Sequence, residues 1–157
     1  MASSKRPRKK HRPIMAMVPK IIRRVSALEA YPGLALELHM KLLAATQEPS
    51  IATVNQLRKE LCVIAGAMSY ESNCKPIEGR KDMEALAIMS AIKVTELIVG
   101  RYERTGSVFV SNLDRKSMTA AANGLDSVLR RVSKRSYEIA ALKVEGYIKT
   151  AETRVAA

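Results

Sequence analysis

The sequence predicts an all-α bundle of four to five helices, with a long C-terminal helix and a disordered basic N-terminal arm. Three observations carry that expectation. Apolar residues recur at steps of three and four along most of the chain, the period of a helix with one buried face. Aromatics are scarce, with one Phe, five Tyr and no Trp, so Leu, Ile, Val, Ala and Met must build the core; such side chains suit packed helices. The single strand-like run, Ser107-Val108-Phe109-Val110-Ser111, is too short to stand as a sheet. At 157 residues and 47% hydrophobic content the chain fits one globular domain, large enough to be stable without metals or disulfides.

Residues 1–18 read as the arm and residues 19–157 as a single helical domain. The segment Met1 to Pro13 is polar and self-repelling, and Pro7 and Pro13 disfavour helix. From Pro19, a residue tolerated in a first helical turn, a helix is expected with Ile21, Ile22, Val25 and Leu28 on one side and Lys20, Arg23 and Arg24 on another. Tyr31-Pro32-Gly33 ends it, because the residue before proline is pushed out of helical geometry.

A second helix spans Leu34 to about Thr46, closed by Gln47-Glu48-Pro49. Ser50 is the expected N-cap of the third, in which Val54, Leu57, Leu61, Ile64, Ala65 and Met68 form one stripe that fades near Asn73. After a connector at Cys74 to Gly79, a fourth helix runs from about Lys81 to Arg104. Leu86, Ile88, Met89, Ile92, Val94, Leu97, Ile98 and Val99 wrap most of its circumference, as in a helix buried on several sides. Thr105-Gly106 is a C-terminal stop. Residues 107–111 read as an extended loop with Phe109 tucked under it, and Asn112 as the cap of the last helix.

That last helix carries Met118, Ala122, Leu125, Leu129, Val132, Ser136, Ala140, Val144 and Tyr147 on one seam. Unbroken from Leu113 to Glu152 it would be about 60 Å long. A domain of this size is only about 40 Å across. The helix therefore kinks, near Gly124 or Gly146, or its end projects and finds a partner, which suggests a homodimer.

The net charge is +12, unevenly spread. Residues 1–24 hold nine basic groups (Lys5, Arg6, Arg8, Lys9, Lys10, Arg12, Lys20, Arg23 and Arg24) and no acid, while the remainder holds 18 basic and 15 acidic residues, a net of only +3. Such an arm seeks phosphate, on nucleic acid or at an anionic membrane surface; the alternative is a solubilising tail. A second basic group, Arg130, Arg131, Lys134 and Arg135, falls on one helix face about a turn tall. It can grip phosphates or simply be a solvated face. The helix from Pro19 is basic and amphipathic, and either docks on the core or lies on a membrane.

The sequence points away from catalysis. Two histidines are present; His11 lies in the arm and His39 mid-helix between Leu38 and Met40. No His-Glu-x-x-His, Cys-x-x-Cys, Gly-x-Ser-x-Gly or phosphate-loop pattern occurs, and the seven glycines are dispersed. No catalytic residue, metal or cofactor is expected. Cys62 and Cys74 lack zinc spacing and read as reduced thiols of a cytoplasmic protein. No apolar run is long enough to span a membrane, and no apolar stretch follows the basic N-terminus as in a secretory signal. The tyrosines do not cluster in sequence, so base stacking is not indicated, and no connector suits a helix-turn-helix.

The layout resembles a group of small basic helical proteins encoded in proteobacterial prophages and mobile elements. The resemblance rests on Lys5-Arg6-Pro7-Arg8-Lys9-Lys10-His11-Arg12-Pro13, the helix at Leu61-Cys62-Val63-Ile64-Ala65, the turn Arg104-Thr105-Gly106 and the helix at Leu125-Asp126-Ser127-Val128-Leu129. It implies a bacterial or phage cytoplasm and a role in element replication, regulation or counter-defence, and transfers no functional residue. The resulting expectation is a non-enzymatic nucleic-acid-binding protein acting through the arm and the Arg130–Arg135 face. The rival is a protein–protein interaction module, such as a phage-encoded inhibitor or regulator of a host nucleoprotein machine.

Overall fold

A computed structural model of the chain describes residues 24–71 and 82–155. Its elements are α1 (Ala27–Ala30), α2 (Leu34–Gln47), α3 (Ile51–Ser69), α4 (Met83–Thr105), α5 (Asn112–Arg131) and α6 (Lys134–Val155). All are helices, and the described residues contain no strand beyond one isolated bridge between Ser26 and Ser133. The disordered arm predicted at residues 1–18, with Lys5, Arg6, Arg8, Lys9, Lys10 and Arg12, lies outside the described residues, as do Lys20, Arg23 and Cys74.

The helix ends follow local chemistry. Ser50 caps α3 through a reciprocal box with Thr53, as expected of its position. Asp82 caps α4 by accepting from the Ala85 N–H. Gly106 closes α4 at φ +70°, a left-handed conformation in which glycine is least strained. The cap of α5 is Ser111 rather than Asn112: its side chain and that of Asp114 bond each other's backbone N–H.

α4 packs on α5 and α3; α3 also packs on α6 and α2, and α2 on α5. Leu38, Val54, Leu57, Leu61, Ile64, Ile88, Ile98, Met118, Leu125, Val128, Leu129 and Val132 are buried between them. α4 and α5 approach closely at Gly124, where a β-carbon would stand 3.1 Å from that of Glu84. Arg101 of α4 bonds the buried Asp114 of α5 at 2.6 Å. Burial would raise the Asp114 carboxyl, but Arg101 and Ser111 outweigh it and hold it below its ordinary range.

Four further expectations are corrected. Arg24 and Val25 are extended, not helical, and α1 is a single turn beginning after the Ser26 cap; Pro19 to Arg23 lie outside the described residues. The capping box of Ser26 with Glu29 and the pairing with Ser133 set that start. α4 is not buried all round, since Met83, Leu86, Met89 and Leu97 remain exposed on a flank that no described helix covers. Phe109 is exposed, with the Arg101 guanidinium 5.9 Å from its ring, while Val110 turns into the core. The long last helix is divided at Val132–Ser133, not at Gly124 or Gly146. Its apolar phase survives the break, as Leu125, Leu129, Val132, Ser136 and Ala140 are all buried, whereas Tyr147 is exposed.

Candidate nucleic-acid interface

The division of the last helix is made by backbone pairing. Val132 takes an extended conformation at φ −79°, ψ 129° and ends α5. Its carbonyl accepts from the Ala27 N–H at 2.8 Å, and the Lys134 N–H donates to the Val25 carbonyl at 3.0 Å. The stretch leading out of the N-terminal segment is thereby stitched to the α5–α6 junction.

Three carboxylates lock this junction. Glu71, just past α3, accepts from the Ser133 N–H at 2.8 Å and from the Arg24 guanidinium. Burial would push the Glu71 carboxyl up. The bonds from Ser133 and Ser136 and the Arg24 charge overcome that, lowering it from 4.5 to about 2. On the other side, Arg131 bonds Asp82 and, at 2.9 Å, Glu84. The Arg131 bonds, outweighing a burial cost, lower the Asp82 carboxyl.

A pH dependence follows. The Glu71 carboxylate is depressed in the folded state, so its stabilisation is full above pH 4.5 and fades as pH falls toward about 2. At neutral pH it amounts to roughly 3 kcal/mol, at about 1.4 kcal/mol for each tenfold change in proton affinity. Denaturant titrations of the intact protein and of Glu71→Gln should differ by that order at pH 6, and the gap should close on acidification. A pH-independent gap would show that the Glu71 charge contributes nothing.

The predicted basic face is therefore divided. Arg131 faces the two carboxylates, and Arg24 faces Glu71. Arg130, Lys134 and Arg135 are exposed. Lys134 makes a loose approach of 3.7 Å to Glu138, itself held by the Tyr31 hydroxyl at 2.6 Å. Arg130 and Arg135 have no hydrogen-bond or ion-pair partner among the described residues. Arg24 also donates to the Arg131 carbonyl at 2.9 Å, which sets Arg24 beside the segment carrying these three cations. Arg24 and Arg131, 107 residues apart in sequence, thus share one corner of the fold.

His39 meets Asp126 across α2 and α5 at 3.3 Å, a surface pairing. No group of His, Cys, Asp or Glu among the described residues is arranged to hold a metal. No described helix is long and apolar enough to cross a membrane.

Sequence reasoning missed the counter-charges Glu71, Asp82 and Glu84, which no local pattern ties to Arg24 or Arg131. It also missed an aromatic–basic group on α6 and α3. Lys143 donates to the Tyr70 hydroxyl, with its ammonium 4.9 Å from the Tyr70 ring. The spacing of Lys143 and Tyr147 was a readable signal, since residues four apart are helix neighbours. Tyr70 joins them only through the α3–α6 packing.

Comparison of the chain with protein-family models, curated proteins and solved structures returned no match.

Proposed function

We propose that this chain is a non-enzymatic nucleic-acid-binding protein of a bacterial or phage cytoplasm, gripping phosphates with its basic arm and with Arg130, Lys134 and Arg135. The observation that supports the reading is the anchoring of Arg24, the first described residue after a stretch that holds eight further cations and no acid. Arg24 is bonded to Glu71 and to the Arg131 carbonyl, next to the segment that carries Arg130, Lys134 and Arg135. Clustered cations release condensed counterions when they meet a polyphosphate, and this drives binding without reading bases. Arg131 takes no part in the grip; it shapes the corner. A gel shift with random duplex DNA, single-stranded DNA and RNA at about 50 mM salt, where such binding is strong, should show retarded bands. The absence of a shift with all three nucleic acids ends the proposal.

A second reading is an interaction module, either toward a host protein or a second copy of the chain. It is favoured by Leu36, Met40 and Leu43, which line one side of α2 and are 67%, 57% and 45% exposed. A stripe of this kind marks a contact surface more often than solitary exposed residues do. Since the last helix is divided, a homodimer rests on this stripe rather than on helix length. Light scattering should then show mass rising with concentration and should return the monomer for Met40→Glu. A monomer mass for the intact chain across the whole range discards the homodimer.

A further inference from the structure

α3 and α6 run antiparallel. The β-carbon position of Gly66 lies 3.3 Å from that of Ala140, while Lys59, further back on α3, approaches Glu145, further on along α6. At Gly66 the helices nearly touch. Beyond it they enclose a cleft of about 460 Å³, within the size range of small-molecule sites. Its apolar lining comes from Cys62, Val144 and Ile148; Tyr147 and Arg58 stand on its walls and Glu152 at the end. Burial keeps the Cys62 thiol above its ordinary range, so it is a neutral filler here.

Two features make this more than a packing gap. Tyr147 is 75% exposed, an aromatic ring lying open beside an apolar floor. Arg58 is half-buried, yet no described residue gives it a hydrogen bond or ion pair. Lys59 is a second cation of the lining, loosely held 3.9 Å from Glu145. An occupant that is flat and aromatic on one part and anionic on another complements this lining. A base that has left its stack offers a π-face to Tyr147, N–H groups to the Glu152 carboxylate and a phosphate to Arg58. Arg forms forked, charge-assisted bonds with such an oxyanion, and stacking on tyrosine is tolerant of base identity. Paired bases are stacked inside a duplex and cannot enter.

We propose that the α3–α6 cleft seats one unstacked nucleotide of a single strand, with its base on Tyr147 and its phosphate on Arg58. This deepens the nucleic-acid reading, on which it rests, by naming the strandedness. Tyr147 lies twelve residues along α6 from Arg135, roughly 18 Å at the helical rise, so one strand can span the basic corner and the cleft.

The test measures affinity for a labelled oligo-deoxythymidine and for a duplex of equal length, with the intact chain, Tyr147→Ala, Tyr147→Phe and Arg58→Gln. Tyr147→Ala should lower single-strand affinity roughly 5- to 100-fold, the worth of one stacked base, and leave duplex affinity unchanged. Tyr147→Phe should retain binding and Arg58→Gln should weaken it. Because the ring is exposed and Ala favours helix, the Ala variant should keep its circular dichroism. If the intact chain binds both nucleic acids and Tyr147→Ala leaves their ratio unchanged, the cleft proposal is overturned while the nucleic-acid reading stands. If the intact chain binds neither, both are overturned.

Discussion

Removing residues 1–12 is expected to flatten the salt dependence of DNA binding by about 3 to 5 units of logarithmic slope. The segment holds six cations between Lys5 and Arg12, no acid, and no Leu, Ile, Val or Phe to pack. The body contributes Arg130, Lys134 and Arg135. With six to eight phosphates engaged by arm and body together, the intact chain should show a slope of about −5 to −7, at roughly 0.9 per phosphate. The truncated chain keeps Lys20, Arg23 and the corner, and should fall to roughly −2 to −4 by the same rule. Its thermal midpoint should barely move. Alanine at Arg130, Lys134 and Arg135 should weaken binding on every DNA sequence alike, since phosphate contacts position a protein without reading bases. Arg131→Ala should behave differently, costing stability because Asp82 and Glu84 lose their common partner. Binding titrations across a salt series decide the matter. An unchanged slope after truncation would mean that the arm does not touch phosphate.

Leu129→Ala should cost about 2–5 kcal/mol, the range for emptying a buried leucine site. Leu129 is fully buried, with Leu125, Val128 and Val132 of the same seam equally enclosed. The cavity cannot close easily, because α5 is held on both sides of the site. Glu84 sits against Gly124 one turn before it, and the backbone of Ala27 is bonded to Val132 just after it. Leu142→Ala is the matching control: Leu142 is 70% exposed on α6, and surface changes are usually worth within about 0.5 kcal/mol. Chemical denaturation of the two variants should separate them clearly. A Leu129 loss below about 0.5 kcal/mol would place that side chain outside the core.

Much of the fold is local and was legible. The Ser50 cap, the stop at Gly106 and the apolar stripe of α3 are each set by residues within a turn or two of one another. The seam through Leu125, Leu129 and Val132 was legible too, because burial follows helical phase. That same phase hid the break, since Ser136 and Ala140 resume the seam on the far side. No glycine or proline marks Val132–Ser133; the chain opens there because residues 25–27 supply replacement hydrogen bonds. Phe109 and Val110 show the same limit. In an extended run alternate side chains face opposite ways, and the core behind the loop decides which one goes in.

By itself, the sequence determined that the chain is helical, where most helices start and stop, that α3 and α5 bury one stripe each, and that its excess charge lies in the first two dozen residues. These follow from period, capping and composition, which act over a few residues. Tertiary structure alone decided which cations are available. Arg24 and Arg131 are neutralised by Glu71 and Asp82, 47 and 49 residues away in the chain. It also decided that Arg24 meets the Arg131 carbonyl, and that Tyr70 meets Lys143 near Tyr147. A charge is available or engaged according to the neighbours that folding brings to it, and Coulomb interaction depends on distance in space, to which separation along the chain is no guide.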